Sequence, residues 1–143
     1  MYINNIDDIH RKYVSKLISG ECNDNTFKIT DDPRITPIGK ILRKFSLDEI
    51  PQFYNVLTGE MSLVGPRPPL QYEVENYKMW HKMRIYSIKP GLTGAWQVDG
   101  RSRTNFDEMV RMDLRYKVSC TFLTDLKIIC KTIIVLITTK GGY

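Results

Sequence analysis

Between Ser46 and Pro69 the chain reads SLDEIPQFYNVLTGEMSLVGPRPP, and the last five of these residues leave the backbone little freedom. In Gly65-Pro66-Arg67-Pro68-Pro69 each proline fixes its own φ and restricts the residue before it, so Arg67 sits in a stiff turn. An arginine mounted this way is either a solvated surface residue or a guanidinium held in place for a phosphate or carboxylate. Upstream lie two adjacent carboxylates, Asp48 and Glu49. Ser46 and Glu49 have capping-box spacing, which predicts a helix from Leu47. Asp48 then falls at the positive end of that helix, where unpaired N–H groups favour its own carboxylate or a bound phosphate. Pro51, just past the first turn, predicts a bend in the helix.

A chain of 143 residues is long enough for one domain with a real core and short for two. The net charge of +5 is unevenly placed, with eleven basic and five acidic side chains from His81 onward against six of each in the first forty residues. A polyanionic partner would therefore meet the C-terminal half, and nucleic acid, anionic lipid headgroups and nucleotide phosphates all fit. The three cysteines form no Cys-x-x-Cys pair, which suits a reducing compartment. Two distant histidines, His10 and His81, supply neither a zinc site nor a Ser-His-Asp triad. No signal peptide is expected at Met1, and no apolar run reaches the roughly 18 residues of a membrane-spanning helix.

Helical spacing of apolar residues predicts a first helix over Ile6 to Ile18, stopped by Gly20. A loop follows, with a short strand at Phe27 to Ile29 and then a second helix that Pro37 opens and Arg43 and Lys44 close. Met61 to Val64 reads as a short buried strand and Leu70 to Arg84 as one helix. Ile85 to Ile88 and Gly94 to Val98 read as strands around a Lys89-Pro90-Gly91 turn, and Asp99-Gly100 as a tight turn. Thr104 and Asp107 are candidate caps for a helix through Tyr116. Within it Asp113 lies near the apolar stripe, and Arg101 or Arg103 is its expected partner. The last segment, TFLTDLKIICKTIIVLITTK, carries Lys127 and Lys131 on one face. It suits a buried core helix or one lying flat on a bilayer. The whole predicts a predominantly helical α+β fold, with capped helices and short strands or a hairpin around a single core and an amphipathic membrane-interface surface.

Several strings together resemble one family: DDPRITPIGKILRKFSLDEIPQFYNVLTGEMSLVGPRPP, KPGLTGAWQVDGRSR, FDEMVRMDLRY, TDLKI and the Gly-Gly-Tyr ending. They are similar to the bacterial sugar transferases, the monotopic polyprenyl-phosphate phosphoglycosyl transferases that prime exopolysaccharide, O-antigen and glycoconjugate synthesis. The resemblance assigns residues 31–143 to the catalytic domain and leaves 1–30 as an N-terminal helix and loop. It implies that Asp48 attacks the sugar-bearing phosphate of a UDP-sugar, that UMP leaves, and that polyprenyl phosphate then takes the phosphosugar. Glu49 is implied to help bind Mg²⁺. Arg43, Arg67, Arg101 and Asp113 fall on the family's phosphate- and nucleotide-binding positions.

The chemistry of the residue types agrees with that implication. An aspartate is ordinarily ionised at neutral pH and can attack phosphorus without a general base. The approach of a carboxylate to a pyrophosphate calls for arginines and a hard cation such as Mg²⁺. Lys127 and Lys131 would then face lipid headgroups or polyprenyl phosphate at the cytoplasmic face of the bacterial inner membrane. Family members carry an upstream membrane-inserted helix and a Lys-Phe-Arg-type segment. The chain therefore reads as the C-terminal part of such an enzyme, either catalytic or a non-catalytic remnant that binds membrane or a partner. Asp99 stands where Asn or Thr is commoner, a change that would tune the nucleotide site. A homo-oligomer is left open. A Gly-rich phosphate loop ending in Gly-Lys-Ser/Thr is absent, which argues against a nucleotide hydrolase, and no aromatic and basic platform marks a nucleic-acid binder.

Overall fold

The computed structural model describes residues 7–20, 35–44, 47–86, 88–100 and 104–138, without the side chains of 7–9, 43 and 44. Its first helix, α1 (Asp7–Ser19), turns Val14, Leu17 and Ile18 inward, and Gly20 ends it at φ +81°. That end matches expectation, since glycine enters the left-handed region without steric cost. The expected strand at 27–29 lies outside the described residues.

Helix α2 (Pro37–Lys44) begins as its proline predicts, with the Thr36 hydroxyl receiving the Gly39 N–H at 3.0 Å. A 3-10 turn over Leu47–Glu49 packs on α2 and leads into α3 (Ile50–Leu57). The expected helix from Leu47 thus begins as a 3-10 turn and becomes α-helical only at Ile50, and Ser46, its expected cap, lies outside the described residues. Pro51 lies in the first turn of α3, where its missing N–H costs no helical bond, so it starts the helix and does not bend it. Gly59, at φ +79°, turns the chain, and the Asn55 carbonyl receives the Met61 N–H at 2.9 Å. The start of the next strand is thus laid beside the last turn of α3.

That strand, β1 (Ser62–Val64), pairs in parallel with β2 (Gly91–Thr93), Ser62 opposite Gly91 and Val64 opposite Thr93. The hairpin reading is therefore wrong. Parallel strands need a crossover, supplied by α4 (Gln71–Glu75) and α5 (Met79–Tyr86), which also splits the expected single helix in two. Ile85 belongs to α5, and the GAWQV segment forms α6 (Ala95–Asp99), packed on two longer helices. Those are α7 (Phe106–Ser119) and α8 (Phe122–Thr138). The cap of α7 is Asn105, neither Thr104 nor Asp107: its side chain receives the Glu108 N–H at 2.8 Å, and Glu108 receives the Asn105 N–H at 3.1 Å.

The fold is predominantly helical α+β, with its buried apolar residues in two clusters. One joins Val14 and Ile18 of α1 to Tyr77, Phe106, Met109 and Val110. The other joins Val64 of β1 to Tyr116 of α7 and Ile128 of α8. A 2.6 Å hydrogen bond from the Tyr116 hydroxyl to Asp125 fastens α7 to the first turn of α8. Among the described residues no helix is long and apolar enough to cross a membrane.

Candidate active site

Asp48 is half-buried and Glu49 exposed, side by side in the 3-10 turn at the head of α3. The turn places both carboxylates at the positive end of α3, where backbone N–H groups lack helical partners. Among the described residues no group of three His, Cys, Asp or Glu side chains forms a metal cage. Two oxygen donors fit Mg²⁺, which is ordinarily held by one or two carboxylates with substrate phosphates and water completing its shell.

The GPRPP turn is fastened to β2. Gly65 donates its N–H to the Thr93 carbonyl at 2.8 Å, and the Pro66 carbonyl receives the Gly91 N–H at 2.9 Å. A Cβ on Gly65 would meet the Lys89 carbonyl oxygen at 2.5 Å, so only glycine admits this approach. Beyond it Arg67 keeps about a third of its side chain exposed, with Nη1 4.0 Å from Glu73 Oε1. Glu73 is itself buried and spends Oε2 on the Leu70 N–H at 3.0 Å, opening α4.

Under this turn lies a buried polar group. Arg84 Nη2 donates to the Arg67 carbonyl at 3.0 Å and stands 3.0 Å from Asp113 Oδ2, while Nη1 reaches the Tyr77 hydroxyl at 3.5 Å. Burial pushes the Asp113 carboxyl up to about 6 against the opposing pull of Arg84. Burial likewise pushes the Tyr77 hydroxyl up to about 12. Asp113 is thus joined to Arg67 through a third residue. Among the described residues its partner is Arg84; the expected partners Arg101 and Arg103 lie outside the described residues, as does the Arg43 side chain. Arg84 escaped the sequence reading, although Tyr77, His81 and Arg84 recur at spacings of four and three, the signature of one helical face.

His81 is fully buried beside Phe106 and Trp80. Its Nδ1 receives the Lys78 N–H at 3.1 Å, so Nε2 carries the proton and donates to Asp107 at 3.0 Å. Burial lowers its pKa, and it serves as a neutral link between α5 and α7.

Lys127 and Lys131 share the α8 face that borders a groove of about 590 Å³, lined also by Met112, Arg115 and Tyr116 of α7. Lys131 donates to Asp99 at 2.6 Å, which gives Asp99 a role in joining α6 to α8. Among the described residues Lys127 and Arg115 have no ion-pair partner.

Comparison with known proteins gives the same direction throughout. The family model described as "Bacterial sugar transferase" matches residues 8–139. "Galactosyl transferase CpsE" of Streptococcus agalactiae is 49% identical over 127 residues, covering 88% of this chain and 28% of that protein. "Exopolysaccharide production protein ExoY" of Sinorhizobium fredii is 44% identical over 118 residues, 82% of this chain and 52% of that protein. "Undecaprenyl-phosphate galactose phosphotransferase" of Salmonella typhimurium is 46% identical over 118 residues, 82% of this chain and 24% of that protein. The chain spans about a quarter to a half of the length of these relatives. With the family model matched over most of its residues, the chain belongs to the bacterial sugar transferase family.

Proposed function

We propose that the chain carries the phosphoglycosyl transfer centre of an enzyme that moves a sugar 1-phosphate from a UDP-sugar to polyprenyl phosphate, releasing UMP and priming polysaccharide synthesis. The observation that carries this reading is the Asp48–Glu49 dyad on the 3-10 turn at the head of α3, in a chain that also mounts Arg67 on a proline-locked turn. Support for the acceptor comes from relatives named for undecaprenyl phosphate, among them the Escherichia coli "UDP-glucose:undecaprenyl-phosphate glucose-1-phosphate transferase", 41% identical over 125 residues.

In the first step an Asp48 carboxylate oxygen attacks the phosphorus that bears the sugar. The bond from that phosphorus to the bridging oxygen breaks, and UMP leaves with the electron pair, so the phosphosugar becomes an acyl phosphate on Asp48. In the second step a phosphate oxygen of the polyprenyl phosphate attacks the same phosphorus, and the Asp48 carboxylate is restored as leaving group. Arg67 binds and orients the diphosphate, with Arg43 and Arg101 as further phosphate ligands and Asp113 holding Arg84 beneath the GPRPP turn. Glu49 would hold Mg²⁺, which neutralises phosphate charge when bound.

The acceptor is lipid-linked, and the surface suits a bilayer. Phe53, Tyr54 and Leu57 of α3 and Phe122, Leu123 and Ile137 of α8 are exposed apolar side chains, with Lys127 and Arg115 at the neighbouring groove as partners for anionic headgroups. Such a surface supports a location at the cytoplasmic membrane face, where UDP-sugars are available. The test is incubation with UDP-sugar, Mg²⁺ and polyprenyl phosphate. UMP and a lipid-linked phosphosugar are expected from the parent protein and not from Asp48→Asn. UMP release undiminished in Asp48→Asn would overturn the assignment, and vesicle binding without any UMP would favour the non-catalytic remnant.

A further inference from the structure

We propose that Arg84 is a positioning residue that fixes the direction in which the Arg67 guanidinium leaves its turn. Three of the five turn residues are prolines and lack an N–H, so the turn has few donors with which to brace itself. Its carbonyls are braced from outside instead. The Gly91 N–H holds the Pro66 carbonyl at 2.9 Å, and Arg84 Nη2 holds the Arg67 carbonyl at 3.0 Å. Arg84 in turn is only 3% exposed and is set by Asp113 at 3.0 Å and the Tyr77 hydroxyl at 3.5 Å, groups that come from α7 and from the junction of α4 with α5. The brace therefore ties the turn to the main core cluster, of which Tyr77 is a member.

Stability alone is a poor reason for such a pair, because buried ion pairs replaced by apolar side chains of similar volume commonly leave a protein equally stable or more so. An apolar pair, however, offers no donor to the Arg67 carbonyl. Glu73 adds a second constraint, with a buried Oε1 that has no hydrogen-bond donor among the described residues and stands 4.0 Å from the Arg67 guanidinium. Arg67 is thus gripped at its backbone by Arg84 and faced at its side chain by Glu73. The inference rests on the reading of Arg67 as a ligand of the diphosphate.

Two variants and two readouts test it. Arg84→Met combined with Asp113→Leu removes the buried charges together and the donor with them. Arg84→Lys keeps the ion pair but lacks the planar fork that serves carbonyl and carboxylate at once. The double variant should melt close to the parent, and its KM for UDP-sugar should rise on the order of tenfold to a hundredfold, the scale expected for a displaced binding group. The second readout is the Arg67 Nε–Hε resonance, assigned with Arg67→Lys, which should move toward the position of a free arginine in both variants. A folded double variant with parental KM and an unmoved Arg67 signal would reduce Arg84 to packing. If the double variant fails to fold, Arg84→Lys decides by the same resonance. If the parent itself releases no UMP, the transferase reading falls and the resonance alone judges Arg84.

Discussion

A Cβ placed on Gly91 would stand 2.0 Å from the backbone nitrogen of Gly65. The two glycines are a point of contact between the GPRPP turn, which follows β1, and the KPGLTG segment, which contains β2. Their closeness lets the Thr93 and Pro66 carbonyls be satisfied across the pair, and so sets the depth at which Arg67 is mounted.

Gly91→Ala should lower stability by about 1–3 kcal/mol, the usual cost of forcing atoms into a packed site, since the obstruction is backbone and cannot swing aside. Gly59→Ala should cost about 1 kcal/mol, for its φ of +79° alone, because nothing lies within 4 Å of the added methyl. Denaturant unfolding of the two variants checks the difference, and equal losses would contradict the close approach.

For the dyad, Asp48→Asn should depress UMP release by about a thousandfold or more, as loss of a nucleophile does. Radiolabelled sugar phosphate should remain on the parent protein after acid quench and be absent from the variant. Glu49→Gln should keep some activity but need more Mg²⁺ to reach half its maximum, read from a metal titration.

Asp113 predicts a pH dependence of stability. Its carboxyl titrates near 6 in the folded protein and near 3.8 unfolded, so the folded state alone takes up the proton in that window. This contribution favours folding at low pH and is lost as the pH rises from about 4 to 6, by about 3 kcal/mol. Unfolding curves of Asp113→Asn should lack this slope.

His81 works in the opposite sense. Its pKa is lowered below 6.5, so the unfolded chain binds the proton more readily, and stability present above pH 6.5 is lost as the pH falls toward the folded value. His81→Gln should flatten that acid loss. An unchanged acid limb would mean that another group carries it.

On α8, Lys127→Glu should weaken binding to vesicles of anionic lipid more than Lys131→Glu does, since Lys131 already faces Asp99 at 2.6 Å. Flotation at two salt concentrations reads this, with the larger salt effect in the parent.

The parts of the molecule legible in advance are those whose physics is local. Gly20, Pro37 and the apolar spacing of α1 act over one or two turns of chain, and the Asp48–Glu49 dyad and GPRPP turn are contiguous. The strand at Gly91–Thr93 was hidden because three residues carry no periodicity, and its partner is known only once the chain has crossed over through α4 and α5. GAWQV alternates like a strand, yet α7 and α8 offer it a surface that a single helical turn covers better. The Asn105–Glu108 box was readable and simply competed with Thr104. Arg84 and Asp113 lie 29 positions apart on different helices, and no spacing rule connects them.

The bare flanks of α3 and α8 have a practical side. Leu57 is 87% exposed, Phe122 80% and Ile137 76%, and water alone is a poor solvent for such a surface. Purified without detergent or nanodiscs, the protein should form soluble aggregates whose size falls as micelles are added. Enzyme assays in plain buffer would then report mainly on colloidal state, and only amphiphile-containing preparations would give rates worth comparing.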